Sequence, residues 1–130
     1  MKKNIVWLVS LIAILILGIF GGMYMNTEEE HKEQDLISIE RQSIGALKNT
    51  FTDISEVEIE KSVYDEKTGT YGIYVVMTNN QNNSLRFMYN FEKKGDVVYG
   101  FVIKDKNIQK RGNTKDKINV TFSNGMEEII

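Results

Sequence analysis

Hydrophobic positions along this chain follow three different rules in turn. Residues 5–25, IVWLVSLIAILILGIFGGMYM, carry no charge at all. A helix of that length spans about 31 Å, one hydrocarbon core. Trp7 and Tyr24 lie near its two ends, where amphipathic rings favour the headgroup region. Lys2 and Lys3 precede the run, and Glu28, Glu29 and Glu30 follow it. The positive-inside rule then predicts a single-pass membrane helix over 5–25, residues 1–4 in the cytoplasm and residues 26–130 outside. A cleaved signal peptide is the competing reading. The apolar run exceeds the usual h-region, and no A-x-A-like site follows it, which favours an uncleaved anchor. Gly18 and Gly22 form a G-x-x-x-G pair. That spacing lets two membrane helices pack closely and makes a homodimer through the anchor an option.

Residues 26–35, NTEEEHKEQD, are charged and show no apolar period, so they read as an acidic juxtamembrane spacer or as the first turns of a helix continuing out of the membrane. The second rule begins at residue 36. Leu36, Ile37, Ile44, Leu47, Phe51 and Ile54 fall within about a 100° arc of a 3.6-residue helix. Glu40, Arg41, Gln42 and Lys48 fall mostly outside it. The spacing predicts one amphipathic helix over 36–54.

The third rule is alternation. Val57, Ile59 and Val63 form one apolar set, and Tyr71, Ile73, Val75 and Met77 the next. Leu85, Phe87, Tyr89 and Phe91 form a third, and Val97, Tyr99, Phe101 and Ile103 a fourth. Ile118, Val120 and Phe122 form a shorter fifth. Period two with β-branched and aromatic residues predicts strands. The joints at 65–70, 79–83 and 93–96 are hairpin-sized and rich in Gly, Asn and Asp, which predicts antiparallel neighbours. A longer loop, 105–117, leads to the last strand. The expected domain, 36–130, is therefore α+β: one amphipathic helix packed on an antiparallel meander of four to five strands. The second sheet face, with Gly72, Tyr74, Val76, Met88, Val98, Gly100 and Val102, is apolar for a face meant for water. Two accounts stay open: the tail 126–130 covers it, or a partner does.

Composition changes this picture mainly by exclusion. The chain has no Cys and no Pro, so disulfides, thiolate metal sites and thiol nucleophiles are ruled out. His31 is the only imidazole and sits in the acidic spacer. No Ser occupies a G-x-S-x-G elbow. Glu56, Glu58 and Glu60 recur at steps of about 6.8 Å on one strand face. Nothing in the sequence would separate their pKa values as a glycosidase pair requires. A solvated acidic strand that blunts a sheet edge is the plainer account. Asp105, Asn107, Gln109, Asn113 and Asp116 fit a calcium-loop frame. However, Lys110 stands where that frame needs Gly, and the closing ligand is Asp rather than Glu. These counts predict no enzyme, no cofactor and no metal.

Charge adds one feature. Residues 104–117 hold six basic residues against two acidic ones, a basic loop on an acidic body. It is either a flexible, solvated loop or a contact for an anionic surface or acidic protein. Nucleic acid is not expected outside a membrane.

The opening MKKNIVWL, the helix DLISIERQSIGALKNTF and the run TGTYGIYVVMTNN together give a layout that resembles small single-pass membrane-anchored proteins of low-GC Gram-positive bacteria. Some of those look like immunity proteins for LXG-type polymorphic toxins. The helix-then-meander order is also similar to cystatin-like folds, which bind rather than catalyse. The resemblance implies a membrane-tethered extracytoplasmic binding module whose partner is a secreted toxin. The candidate docking residues are Glu56, Glu58 and Glu60 on the acidic first strand, Tyr74 and Met88 on the second sheet face, and Lys110 and Arg111 in the basic loop; aromatic, Met and Arg side chains suit interface anchors. The alternative is a non-catalytic structural or regulatory subunit of a membrane or envelope assembly, in which Gly18 and Gly22 carry the packing.

Overall fold

The computed structural model describes residues 27–130, with side chains from residue 33 onward. The expected membrane segment 5–25, residues 1–4, Gly18, Gly22 and the His31 side chain lie outside the described residues. Among the described residues, no helix is long and apolar enough to cross a membrane. Leu36–Ile130 forms a compact unit by itself. Its buried apolar side chains run from Ile39 to Phe122, so this unit contains its own core.

One helix, α1 (Thr27–Lys48), packs its part from Leu36 onward on a five-stranded sheet. It ends short of the expected residue 54. Thr50 and Phe51 N–H both reach the Leu47 carbonyl at 3.0 Å, and Thr50 Oγ1 donates to the Ala46 carbonyl at 2.8 Å. The chain then finds better partners outside the helix. Phe51 bridges Arg111, and Thr52 N–H donates to the Lys110 carbonyl at 2.8 Å. Asp53, at φ 62°, turns the chain into the first strand. Phe51 and Ile54 stay buried, so the apolar spacing was core spacing, but not helical throughout.

The strands are β1 (Ile54–Asp65), β2 (Thr70–Asn79), β3 (Ser84–Phe91), β4 (Asn119–Thr121) and β5 (Glu127–Ile129). Their spatial order is β3-β2-β1-β4-β5. β1–β2, β2–β3 and β4–β5 pair antiparallel, whereas β1–β4 is parallel. The sheet is therefore mixed, and the expected all-antiparallel meander extends only through β3. The two hairpin turns follow their local chemistry. Gly69 takes φ 71° and Asn82 φ 68°, and Asn79 Oδ1 accepts N–H groups from Gln81 and Asn83 at 3.0 Å.

The expected fourth strand, 97–103, makes only one bridge, between Asn90 and Tyr99. β3 and β4 run in the same direction on opposite sides of β1. A parallel return needs a long crossover rather than a tight turn. Residues 92–118 supply it, and Val98, Ile108 and Phe101 join the core along the way. This places Val97, Tyr99 and Ile103 outside and Val98 inside, the reverse of the expected parity, whereas Phe101 packs inward as expected. The tail does not cover the second sheet face either. It forms β5, in the plane of the sheet.

β1 also changes face midway. Ile59 pairs with Val75 and Lys61 with Tyr74, leaving Glu60 as a bulge. One extra residue reverses every later side chain. Ser62 now points towards α1, and Val63, expected in the core, is exposed.

Candidate functional site

The outer sheet face is built by strand pairing. Glu56 and Glu58 on β1 stand opposite Thr78 and Val76 on β2. Tyr74 and Val76 stand opposite Met88 and Arg86 on β3. On the other side, Thr121 and Glu127 extend the Glu58 row across β4 and β5. Alternation puts these side chains on the face away from α1, because Val57, Val75, Phe87 and Val120 between them are buried in the core.

The centre of this face is a short apolar patch, Tyr74, Val76 and Met88, each half-buried. Gly72 helps shape it: a Cβ there would come within 3.3 Å of Met88 Cε. Charged groups frame the patch. Lys61 Nζ lies 4.6 Å above the Tyr74 ring, and Arg86 Nε pairs with Glu60 Oε1 at 2.6 Å. Glu56, Glu58 and Glu127 are exposed and have no ion-pair partner among the described residues. Five of the seven expected contact residues, Glu56, Glu58, Glu60, Tyr74 and Met88, thus share one surface. The acidic strand does not blunt an edge, because β1 is the central strand.

Lys110 and Arg111 are elsewhere. Lys110 Nζ lies 3.7 Å from Asp53, and Arg111 sits 4.9 Å over the Phe101 ring. Their loop is not a free solvated segment. Gly112 and Thr114 N–H donate to the Thr50 and Lys48 carbonyls at 3.1 and 2.7 Å, and Thr114 Oγ1 donates to the Phe51 carbonyl at 2.7 Å. Two of the calcium-frame side chains serve the backbone instead, and Asn113 Nδ2 donates to Asn49 Oδ1 at 3.0 Å. Asp105 Oδ1 accepts Asn107 N–H, and Gln109 Oε1 accepts Lys104 and Asp105 N–H. Among the described residues no cluster of three or more His, Cys, Asp or Glu could hold a metal. A polar groove of about 690 Å³ lies between this loop and the β2–β3 turn, lined by Asp53, Asn80, Asn83, Asp105 and Lys110 among others.

One buried feature went unseen in the sequence. Glu40 is fully buried. Its Oε2 accepts Ser62 and Ser123 hydroxyls at 2.8 and 2.6 Å, and its Oε1 accepts Ser123 N–H at 3.0 Å. Ser43 Oγ donates to the Glu40 carbonyl and lies 3.0 Å from Tyr89 Oη. The signal was present: Glu40 is three residues after Ile37 and four before Ile44, in the middle of the apolar arc. Ser, Glu and Tyr in contact suggest chemistry, but every polar side-chain atom here is satisfied by another. The cluster locks α1 to β1, β3 and the β4–β5 turn.

Burial, the largest cause, pushes the Tyr89 hydroxyl well above the usual phenol range, and the Glu40 charge adds to this while the Ser43 hydrogen bond opposes it. An unfolded tyrosine ionises near pH 10, whereas folded Tyr89 keeps its proton. The unfolded state then binds fewer protons, so stability falls as pH rises above about 10, at roughly 1.4 kcal/mol per unit. Below that pH both states are protonated and the contribution is flat. Urea midpoints between pH 8.5 and 11 should fall more steeply for the native chain than for Tyr89→Phe. Parallel curves would refute this assignment.

No protein-family model, characterised protein or solved structure matches this chain.

Proposed function

We propose that the chain is a non-catalytic, membrane-tethered binding module on the outer side of the cell membrane, and most sharply an immunity protein that docks a secreted toxin on its open sheet face. The observation that carries this reading is the grouping of Tyr74, Val76 and Met88 beside exposed Glu56, Glu58 and Glu127. An apolar centre with a charged rim is the anatomy of a protein interface. The partner surface it fits is apolar at its middle and basic at its margin. An anchor over residues 5–25 would confine the module to the membrane under attack, which raises its local concentration without any new contact.

The test has two stages. Residues 33–130 are used to capture secreted proteins from competing Gram-positive strains. The captured protein is then applied to sensitive cells with and without the full chain. Protection is expected, and Met88→Ala or Glu58→Lys should weaken binding by at least about tenfold, the scale of an interface hot spot. Both side chains lie outside the core, so thermal unfolding should not change. A captured protein whose toxicity the full chain leaves intact, or whose binding neither substitution weakens, refutes the reading.

A further inference from the structure

The crossover after β3 leaves four large apolar side chains in solvent. Val97, Tyr99, Val102 and Ile103 are 52%, 43%, 70% and 39% exposed. Local structure drives them outward. Val98 N–H donates to Thr50 Oγ1 at 3.1 Å, and the Phe101 ring packs 5.0 Å from Phe51. These two residues take the inward positions and leave the outward ones to their neighbours. Gly100, at φ 69°, makes the bend, and a Cβ there would run into the Asn90 side chain. The strip follows the outer edge of β3, from the Asn90–Tyr99 bridge to Lys104, whose Nζ reaches the Arg86 carbonyl at 3.3 Å.

Lysines fence it. Lys93 and Lys94 precede the strip and Lys104 and Lys106 follow it, all exposed. The nearby acids are Glu92, Asp96 and Asp105. Over 92–117 there are eight basic residues and four acidic ones, whereas 33–91 and 118–130 together hold five basic and eleven acidic. Four of those eight basic residues, Lys93, Lys94, Lys104 and Lys106, flank the most exposed aliphatic side chain, Val102, and its neighbours. β1, which carries Glu56 and Glu58, lies two strands in from this edge.

We infer that the strip 97–103 docks on an anionic lipid surface, with Val102 and Ile103 entering the headgroup boundary and the flanking lysines meeting lipid phosphates. Exposed aliphatic and aromatic side chains between lysines match an interfacial membrane contact, where the chain buries apolar tips and the ammonium groups stay with phosphate. A soluble polyanion would engage the lysines and leave Val102 in water. The inference draws its setting from the membrane tether proposed above, but its test omits the tether.

Residues 33–130 are sedimented with vesicles of phosphatidylglycerol and phosphatidylethanolamine, and separately of phosphatidylcholine. Binding is expected only to the first, weakened by added salt. Val102→Asp and the pair Lys104→Glu/Lys106→Glu should each reduce it about tenfold or more while melting at the native temperature. No binding to the anionic vesicles overturns the inference. So does binding that Val102→Asp leaves unchanged, because phosphate attraction alone would then account for it. Neither result bears on toxin capture, which reads the opposite set of residues, Glu58 and Met88.

Discussion

Glu40→Ala is expected to lower the unfolding free energy by roughly 3 kcal/mol in urea titrations at neutral pH. The carboxylate is fully buried and accepts three hydrogen bonds, from Ser62 Oγ, Ser123 Oγ and Ser123 N–H. Among the described residues no cation pairs with it, and the neighbouring Arg41 is 2.8 Å from Glu128 instead. Truncation strands all three donors, and each unmet buried donor costs about 1–3 kcal/mol. Ser62 and Ser123 are only part-buried, so water recovers some of that loss. Glu40→Gln should cost about 1 kcal/mol, because serine hydroxyls rotate and can accept from the amide. The triple change Glu40→Leu/Ser62→Ala/Ser123→Ala should recover most of the stability lost in Glu40→Ala, since it removes acceptor and hydroxyl donors together. An alanine variant as stable as the native chain would show that the network contributes nothing net.

Phe51→Ala is expected to cost about 3–5 kcal/mol, the range for a large aromatic removed from a closed core. Phe51 is fully buried. It meets the Phe87 ring edge-on at 5.9 Å and the Phe101 ring at 5.0 Å. Its backbone bridges Arg111, and its carbonyl accepts the Thr114 hydroxyl. The ring therefore joins the sheet to the first half of the crossover, and the backbone of the same residue holds the second half. Hydrogen exchange should show this as faster opening at Val98, Gly112 and Thr114 than in the sheet centre at Val75. Uniform acceleration across the domain would mean that the crossover is not a separately yielding unit.

The legible parts of this fold were local. The β1–β2 and β2–β3 hairpins could be read because turn chemistry and alternation agree over stretches of about ten residues. The grouping of Glu56, Glu58, Tyr74 and Met88 on one face followed from parity alone. The failures came where the outcome rests on pairing between segments distant in sequence or on register. Residues 97–103 alternate like a strand, but along the edge of β3 they form a single bridge, Asn90–Tyr99, before the chain returns parallel at β4. The Glu60 bulge reverses the end of β1, and it becomes clear only from the register against β2. The tail lacked enough alternation to announce an edge strand, yet β4 offered it a ladder.

By itself the sequence determined where polar and apolar side chains repeat every two residues or every 3.6, and which turns close at short range. Those are properties of neighbouring residues and their backbone preferences. Strand order, the burial of Glu40 and the exposure of Val102 were decided only in three dimensions. Each depends on contacts such as Glu40–Ser123, separated by 83 positions, and such pairings form only when the whole core closes around them.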